Sequence, residues 1–201
     1  YYGVKSALQI GEENVLMMDI GGGSVEFIIC NYRKIHWKKS FEIGAQRLMD
    51  QFMKSDPISE LDLMRLEIFL EAKLYELSNA VFRYCPKYLI GSAGAFETLS
   101  TLAYSLENTG NLHAFMDRNF QLKVKEYTIE PDMFHDVYQL IVQNDREHRL
   151  ALPGLMPLRA DMIVMAMGLL RFILERYELE KIRVSAYALK EGYLMSRLNR
   201  N

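Results

Sequence analysis

Cysteine is scarce: the 201 residues hold two, Cys30 and Cys85, each in apolar surroundings and neither in the paired spacing of a zinc site or a disulfide framework. That excludes a secreted, bridge-stapled scaffold and makes a reducing cytoplasm the expected setting. No apolar run approaches the roughly 20 residues that cross a bilayer as a helix. Tyr1-Tyr2-Gly3-Val4 also lacks the basic stretch and apolar run of a secretory leader, so no membrane partner is expected. An excess of positive charge is missing as well. Lys and Arg number 24 against 26 Asp and Glu, and the basic clusters Arg33-Lys34 and Lys38-Lys39 are short, so a nucleic-acid partner is not expected. The histidines His36, His113, His135 and His148 have no metal-ligand spacing. No Gly-Lys pair exists for a P-loop. A dinucleotide fingerprint fails because Glu26 stands where its third glycine belongs and a strand, not a helix, is expected to follow.

What is present is an ordinary globular balance, 50% hydrophobic and 25% charged, in a length that suits one domain. Residues 15–20 form an apolar run ended by three glycines, and residues 25–30 form a second run directly after them, which predicts strand, tight turn, strand. Residues 34–43 add a third strand with Ile35, Trp37 and Phe41 on one face, completing an antiparallel meander. A helix is expected over residues 46–53, stopping before Asp56-Pro57. The longest helix begins at Ser59, a capping residue, and carries Leu63, Leu66, Leu70, Leu74, Leu77 and Val81 along one face to near Pro86. Residues 88–90 read as a buried strand, 91–94 as a second glycine turn and 96–106 as a helix, which is α/β grammar. Periodicity fades over residues 108–119, and residues 127–129 offer another strand. A helix then opens at Pro131-Asp132 and runs through Val142, and a strongly apolar helix covers residues 160–177. Residues 182–186 form a last buried strand before a C-terminal helix.

The chemistry concentrates in Asp19-Ile20-Gly21-Gly22-Gly23-Ser24-Val25-Glu26. Successive glycines permit positive φ and let backbone N–H groups approach an anion closely. Asp19 and Glu26, on the strands either side, are the hard oxygen ligands that Mg²⁺ takes beside phosphate. A plain hairpin with a flexible tip and two surface acids is the competing reading. Gly91-Ser92-Ala93-Gly94, between a strand and a helix N-terminus, is a second candidate anion site, or no more than a tight turn. Arg47, one turn into a helix, is a candidate for chelating a phosphoryl oxygen, and Arg159 is a similar one. The methionines of residues 156–167 read as core filling.

Taken together these residues resemble the exopolyphosphatase and guanosine pentaphosphate phosphatase (Ppx/GppA) family of the actin-like ATPase superfamily. Asp19 to Ser24 with Glu26 matches the family's second phosphate motif, and Ile43-Gly44-Ala45-Gln46-Arg47-Leu48 looks like its Leu-Gly-Ala-x-Arg-Leu segment. Gly91 to Gly94 resembles its second glycine loop, and Arg159-Ala160-Asp161-Met162-Ile163 its Arg-Ala-Asp-x-Ile segment. The resemblance implies an α/β, ribonuclease H-like domain with a mixed five-stranded sheet flanked by helices. Residues 1–201 would be the C-terminal half of a two-domain phosphatase core whose first domain is missing. It further implies that Asp19 and Glu26 are catalytic and hold Mg²⁺, and that Gly21, Gly22, Gly23, Ser24, Arg47, Gly91, Ser92, Ala93 and Gly94 bind phosphate. The substrate would be polyphosphate or guanosine penta- or tetraphosphate. A glutamate shortly before Tyr1 would act as general base, and this chain alone would be inactive. A homodimer is a further candidate state. Departures from the family pattern stand at Val25, usually threonine, at Ala95, usually a hydroxyl residue, and at Met165 and Met167, usually small. The alternatives are a regulatory module that binds a phosphorylated nucleotide without turnover and a sugar or acetate kinase-like fragment.

Overall fold

The computed structural model describes residue 4 and residues 8–92, 94–109 and 126–185. Three strands follow one another as a meander, β1 (Val15–Ile20), β2 (Val25–Cys30) and β3 (Ile35–Phe41). β4 (Leu89–Ser92) and β6 (Ile182–Ser185) extend the sheet in parallel on the other side of β1, and β5 (Glu126–Ile129) closes it antiparallel to β6. The order is β3-β2-β1-β4-β6-β5. The sheet therefore has six strands where the family resemblance implied five; the sixth is the edge segment Glu126–Ile129.

Period-two alternation divides the sheet into two faces. Leu16, Met18, Val25, Phe27 and Leu89 belong to the main core, while Val15, Met17, Ile90 and Tyr88 form a smaller cluster with Val4, Leu8 and Ile10. The central strand is thus apolar on both faces, as buried strands are. On the main-core face lie α1 (Ala45–Phe52), α2 (Glu60–Lys73), α3 (Tyr75–Tyr84), α4 (Gly94–Thr109), α5 (Pro131–Val142), the short α6 (Arg146–Leu150) and α7 (Met162–Arg176). α7 is the keystone of this layer: every residue from Ile163 to Leu170 is buried, including Met165 and Met167. Gly168 lets Leu66 of α2 come so near that a Cβ there would lie 3.0 Å from its Cδ2.

Several boundaries depart from the sequence expectation. The long leucine-faced helix is two helices. Ser59 caps the first by accepting from the Asp62 N–H at 3.2 Å, but Leu74, at φ −95° and ψ 17°, breaks the run. The break turns the leucine face from α7 and α1, which α2 contacts, onto β2 and β3, which α3 contacts. Ile35 is not in the core. A register shift between Ile29 and Cys30 falls at the hairpin end, and Ile35 is 37% exposed. Gly91 and Ser92 belong to β4 rather than to a turn, while Ala93, His113, most of residues 108–119 and the C-terminal helix lie outside the described residues.

Gly91 is in the strand for a packing reason. A Cβ built there would sit 2.0 Å from the ring of Phe96, which lies flat on the strand at the start of α4. Gly91→Ala is expected to cost about 1–3 kcal/mol of stability in urea unfolding, and Phe96→Leu in the same chain to recover part of it. An unchanged midpoint for Gly91→Ala would mean that ring and strand are not in contact.

Candidate active site

At the end of β1 the strand registers line up one polar row across the whole sheet. Ser40 pairs with Glu26, Glu26 with Asp19, Asp19 with Ser92, Ser92 with Ser185, and Ser185 with Glu126. Directly paired residues project to the same face, so Asp19, Glu26, Ser40 and Ser92 share one side of the sheet. Ser24 and Ser40 each donate a hydroxyl to Glu26 Oε1 at 2.7 Å. Ser40 was not among the residues singled out from the sequence, because only the β2–β3 register brings it beside Glu26.

The glycine turn between β1 and β2 works differently from a positive-φ nest. Among the described residues the one glycine at positive φ is Gly154; Gly21, Gly22 and Gly23 are not. Their carbonyls face the N-terminus of α1: Gly21 O accepts from Ala45 N at 2.9 Å, Gly22 O from Gln46 N at 3.0 Å, and Gly23 O from Gly44 N at 3.2 Å. These bonds satisfy the first orphan donors of a helix whose Gly44 cap has no side chain to do so. A Cβ on Gly44 would lie 2.4 Å from Gly22 C and O, so the junction is backbone against backbone. With the carbonyls turned inward, the N–H groups of Gly22 and Gly23 donate to no backbone acceptor among the described residues. A Cβ on either would meet nothing closer than 3.8 Å, and over Gly23 the nearest atom is Arg47 Nε at 4.0 Å. The outer side of the turn is thus open to an anion, with the Arg47 guanidinium beside it.

On the main-core side of the same turn lies a pocket of about 220 Å³, lined by Gly21, Gly22, Gly94, Ala95, Arg159 and Met162 among others. The first residues of α4 and α7 line it, Gly94 and Ala95 from one and Met162 and Ile163 from the other, and α7 has no side-chain cap; helix N-termini favour an anion there. Arg159 Nη1 donates to Gly94 O at 3.0 Å and lies 3.3 Å from Glu97 Oε2. The segment carrying Arg159 is clamped from beneath by Arg149, which is wholly buried. Arg149 Nε donates to Ala160 O at 2.7 Å, Nη1 donates to Asp56 Oδ1 at 2.8 Å, and Nη2 lies 3.5 Å from Asp161 Oδ1. Arg149 is the buried member, while the Asp56 and Asp161 carboxylates reach partly into solvent, which screens their charge. No sequence signal marks Arg149: it sits in a five-residue helix with no periodicity of its own.

The structure therefore brings Asp19, Glu26, Ser24 and Ser92 together on one side of the turn. Gly21, Gly22 and Gly94 meet with Arg159 on the other, and Arg47 stands at the outer edge beside Gly23. Gly91 stands apart, its open side filled by Phe96, and Ala93 lies outside the described residues.

Asp19 and Glu26 fit a divalent cation that keeps most of its waters, as Mg²⁺ does with one or two carboxylates. Among the described residues no three His, Cys, Asp or Glu side chains gather into a metal cluster, so a protein-only cage is not built. Burial, and then the neighbouring Glu26 charge, raise the Asp19 pKa above the usual aspartate value. That strain is what a bound cation would relieve. In acid, folded and unfolded chains both carry a neutral Asp19. As pH rises through the raised folded pKa, the unfolded chain has already released its proton while the folded one must hold a charge beside Glu26, so stability is lost. Asp19→Asn is expected to raise the thermal midpoint at neutral pH in the absence of metal and to leave it unchanged in acid. An equal effect at both would remove Asp19 charge as the cause.

The model of the Ppx/GppA phosphatase family matches residues 1–201. The exopolyphosphatase of Cytophaga hutchinsonii superposes with a TM-score of 0.89 at 37% identity, covering 99% of this chain and 61% of that one. The Ppx/GppA phosphatase of Aquifex aeolicus gives 0.78 at 26% identity, over 98% and 60%. The chain is 24% identical over 185 residues to exopolyphosphatase 2 of Mycobacterium tuberculosis, covering 90% of this chain and 54% of that protein. It is 28% identical over 179 residues to a bifunctional 3-dehydroquinate synthase/phosphatase of Fusobacterium nucleatum, covering 87% and 24%. It thus spans about half the length of the mycobacterial relative. The fold is the actin-like ATPase fold of these neighbours. With a match running from the first residue to the last, this chain belongs to the Ppx/GppA phosphatase family.

Proposed function

We propose that this chain supplies half of the active site of a magnesium-dependent hydrolase that releases the terminal phosphoryl group of inorganic polyphosphate, with guanosine pentaphosphate as the second candidate substrate. The observation that carries the reading is the glycine turn itself, with an acid pair on one side, an arginine-lined pocket on the other, and open N–H groups between them. Two anion-recognising places separated by a bare backbone edge suit a chain of linked phosphoryl groups better than a single phosphate. The relatives named exopolyphosphatase, from Cytophaga hutchinsonii and Mycobacterium tuberculosis, support the same substrate class.

In this reading Asp19 and Glu26 hold Mg²⁺, which when bound neutralises phosphoryl oxygens and orients them for in-line attack. Ser24 and Ser40 keep the Glu26 carboxylate aimed by occupying one of its oxygens. The Gly22 and Gly23 amides and the α4 and α7 N-termini bind the neighbouring phosphates. Arg47 and Arg159 balance charge that grows on the phosphoryl oxygens as the bond breaks. The general base and the facing wall belong to a first domain outside residues 1–201, and these residues alone are expected to release no phosphate.

The test is phosphate release by the full-length protein from long-chain polyphosphate and from guanosine pentaphosphate, with and without Mg²⁺. Metal-dependent release is expected. Arg159→Ala should lower kcat roughly 100-fold or more. Asp19→Asn with Glu26→Gln should abolish release and also the rise in thermal midpoint that Mg²⁺ gives the unaltered protein. Release that persists in the double variant, or turnover indifferent to Mg²⁺, would overturn the reading.

A further inference from the structure

Arg149 is the one buried cation among the described residues. Taking a guanidinium out of water is costly, and an apolar side chain of similar length would fill the same space without that cost. What an apolar side chain cannot do is hold separate backbone segments at fixed angles, which the five N–H donors of a rigid guanidinium fork can. Here the fork is divided among three segments. Nε donates to Ala160 O at 2.7 Å, one residue after Arg159. Nη1 donates to Asp56 Oδ1 at 2.8 Å, four residues past the end of α1, and also to Asn144 O, just past α5. Arg146 closes the knot from outside, its N–H donating to Asp56 Oδ2 at 2.7 Å and its Nε to Asp161 Oδ2 at 3.2 Å.

We propose, on the phosphohydrolase reading, that Arg149 and Asp56 are positioning residues of this site: they touch no phosphate themselves but set Arg159 at a fixed distance from the glycine turn. The link is continuous. The N-terminus of α1 is bonded to the carbonyls of Gly21 and Gly22, and its far end is seated by Phe52 and Ile58 in the main core. Asp56, between those two anchors and Arg149, passes that fixed position to the guanidinium, and Nε passes it to the main chain at Ala160. Arg159 has little slack to absorb an error. A Cβ on Gly94 would lie 3.0 Å from Arg159 Cζ and 3.1 Å from Nη2, so its guanidinium rests against the bare first residue of α4. A small shift of the segment therefore moves Arg159 off that seat and away from the pocket it lines. An apolar residue in place of Arg149 would fill the core and leave Ala160 O untethered, which is why a buried charge stands there.

Two readouts on the full-length protein test this: calorimetric binding of inorganic tripolyphosphate without Mg²⁺, and phosphate release from polyphosphate with it. Arg149→Met and Asp56→Ala are each expected to weaken tripolyphosphate binding roughly 10-fold and to lower kcat roughly 10- to 100-fold, with the circular dichroism spectrum kept. In an Arg159→Ala background neither substitution should reduce either quantity further, because both act through that guanidinium. A merely structural role would give a lower thermal midpoint with affinity unchanged, or losses that multiply with that of Arg159→Ala, and either result overturns the positioning role. Should Arg149→Met not fold, Asp56→Ala, whose carboxylate is 32% exposed, decides the question by the same cycle. An unaltered protein that binds tripolyphosphate and releases no phosphate overturns the hydrolase reading, while the binding cycle still judges Arg149. One that binds no tripolyphosphate overturns both.

Discussion

The contact on which the rest depends is the meeting of two stretches of bare backbone, Gly21–Gly23 and Gly44. Since a Cβ on Gly44 would lie 2.4 Å from the carbonyl of Gly22, the helix N-terminus can reach the turn only where no side chain intervenes. Once there, its N–H groups take up the turn's carbonyls. A peptide plane has two sides, so turning the carbonyls inward leaves the amides of Gly22 and Gly23 facing out. The loop is thereby held still in the orientation an anion needs, at the cost of hydrogen bonds that α1 required in any case.

The sheet supplies the second constraint. Because β1 pairs with β2 on one side and β4 on the other, a single row collects the hydroxyls and carboxylates of six strands at one end. Burial, and then the Glu26 charge, raise the Asp19 pKa there, a cost in stability of the kind that functional sites often carry. Beneath the other side of the turn, the buried Arg149 with Asp56 and Asp161 gives the Arg159 segment a rigid seat. The site thus rests on elements fixed by packing, while the Gly22 and Gly23 amides take no backbone acceptor among the described residues.

Much of the fold could be read directly. The apolar runs at residues 15–20 and 25–30, the Ser59 cap, the helix opened by Pro131 and the buried helix before residue 177 all carry local signals, and each appears within a residue or two of its expected place. The misreadings have tertiary causes. Nothing in the leucine spacing marks Leu74, because both halves of the helix keep the same periodicity and only their different partners force the break. Gly91 reads as a turn glycine until the Phe96 ring is found lying on it. The glycine run suggests positive φ, but the demand it answers is close approach of backbone to backbone.

The sequence by itself determined which residue types stand around the turn, their order along the chain and hence the family, because glycines, acids and arginines at fixed spacings are properties of the chain alone. Only the tertiary structure decided which of them meet. Strand register chose Ser40 and Ser92 as neighbours of the acids, the approach of α1 chose which way the turn's amides face, and a buried arginine with no sequence signature, Arg149, positioned the Arg159 segment. Those choices depend on contacts between segments up to about a hundred residues apart, such as Arg149 with Asp56, which differ by 93 positions, and no local pattern encodes a partner that distant.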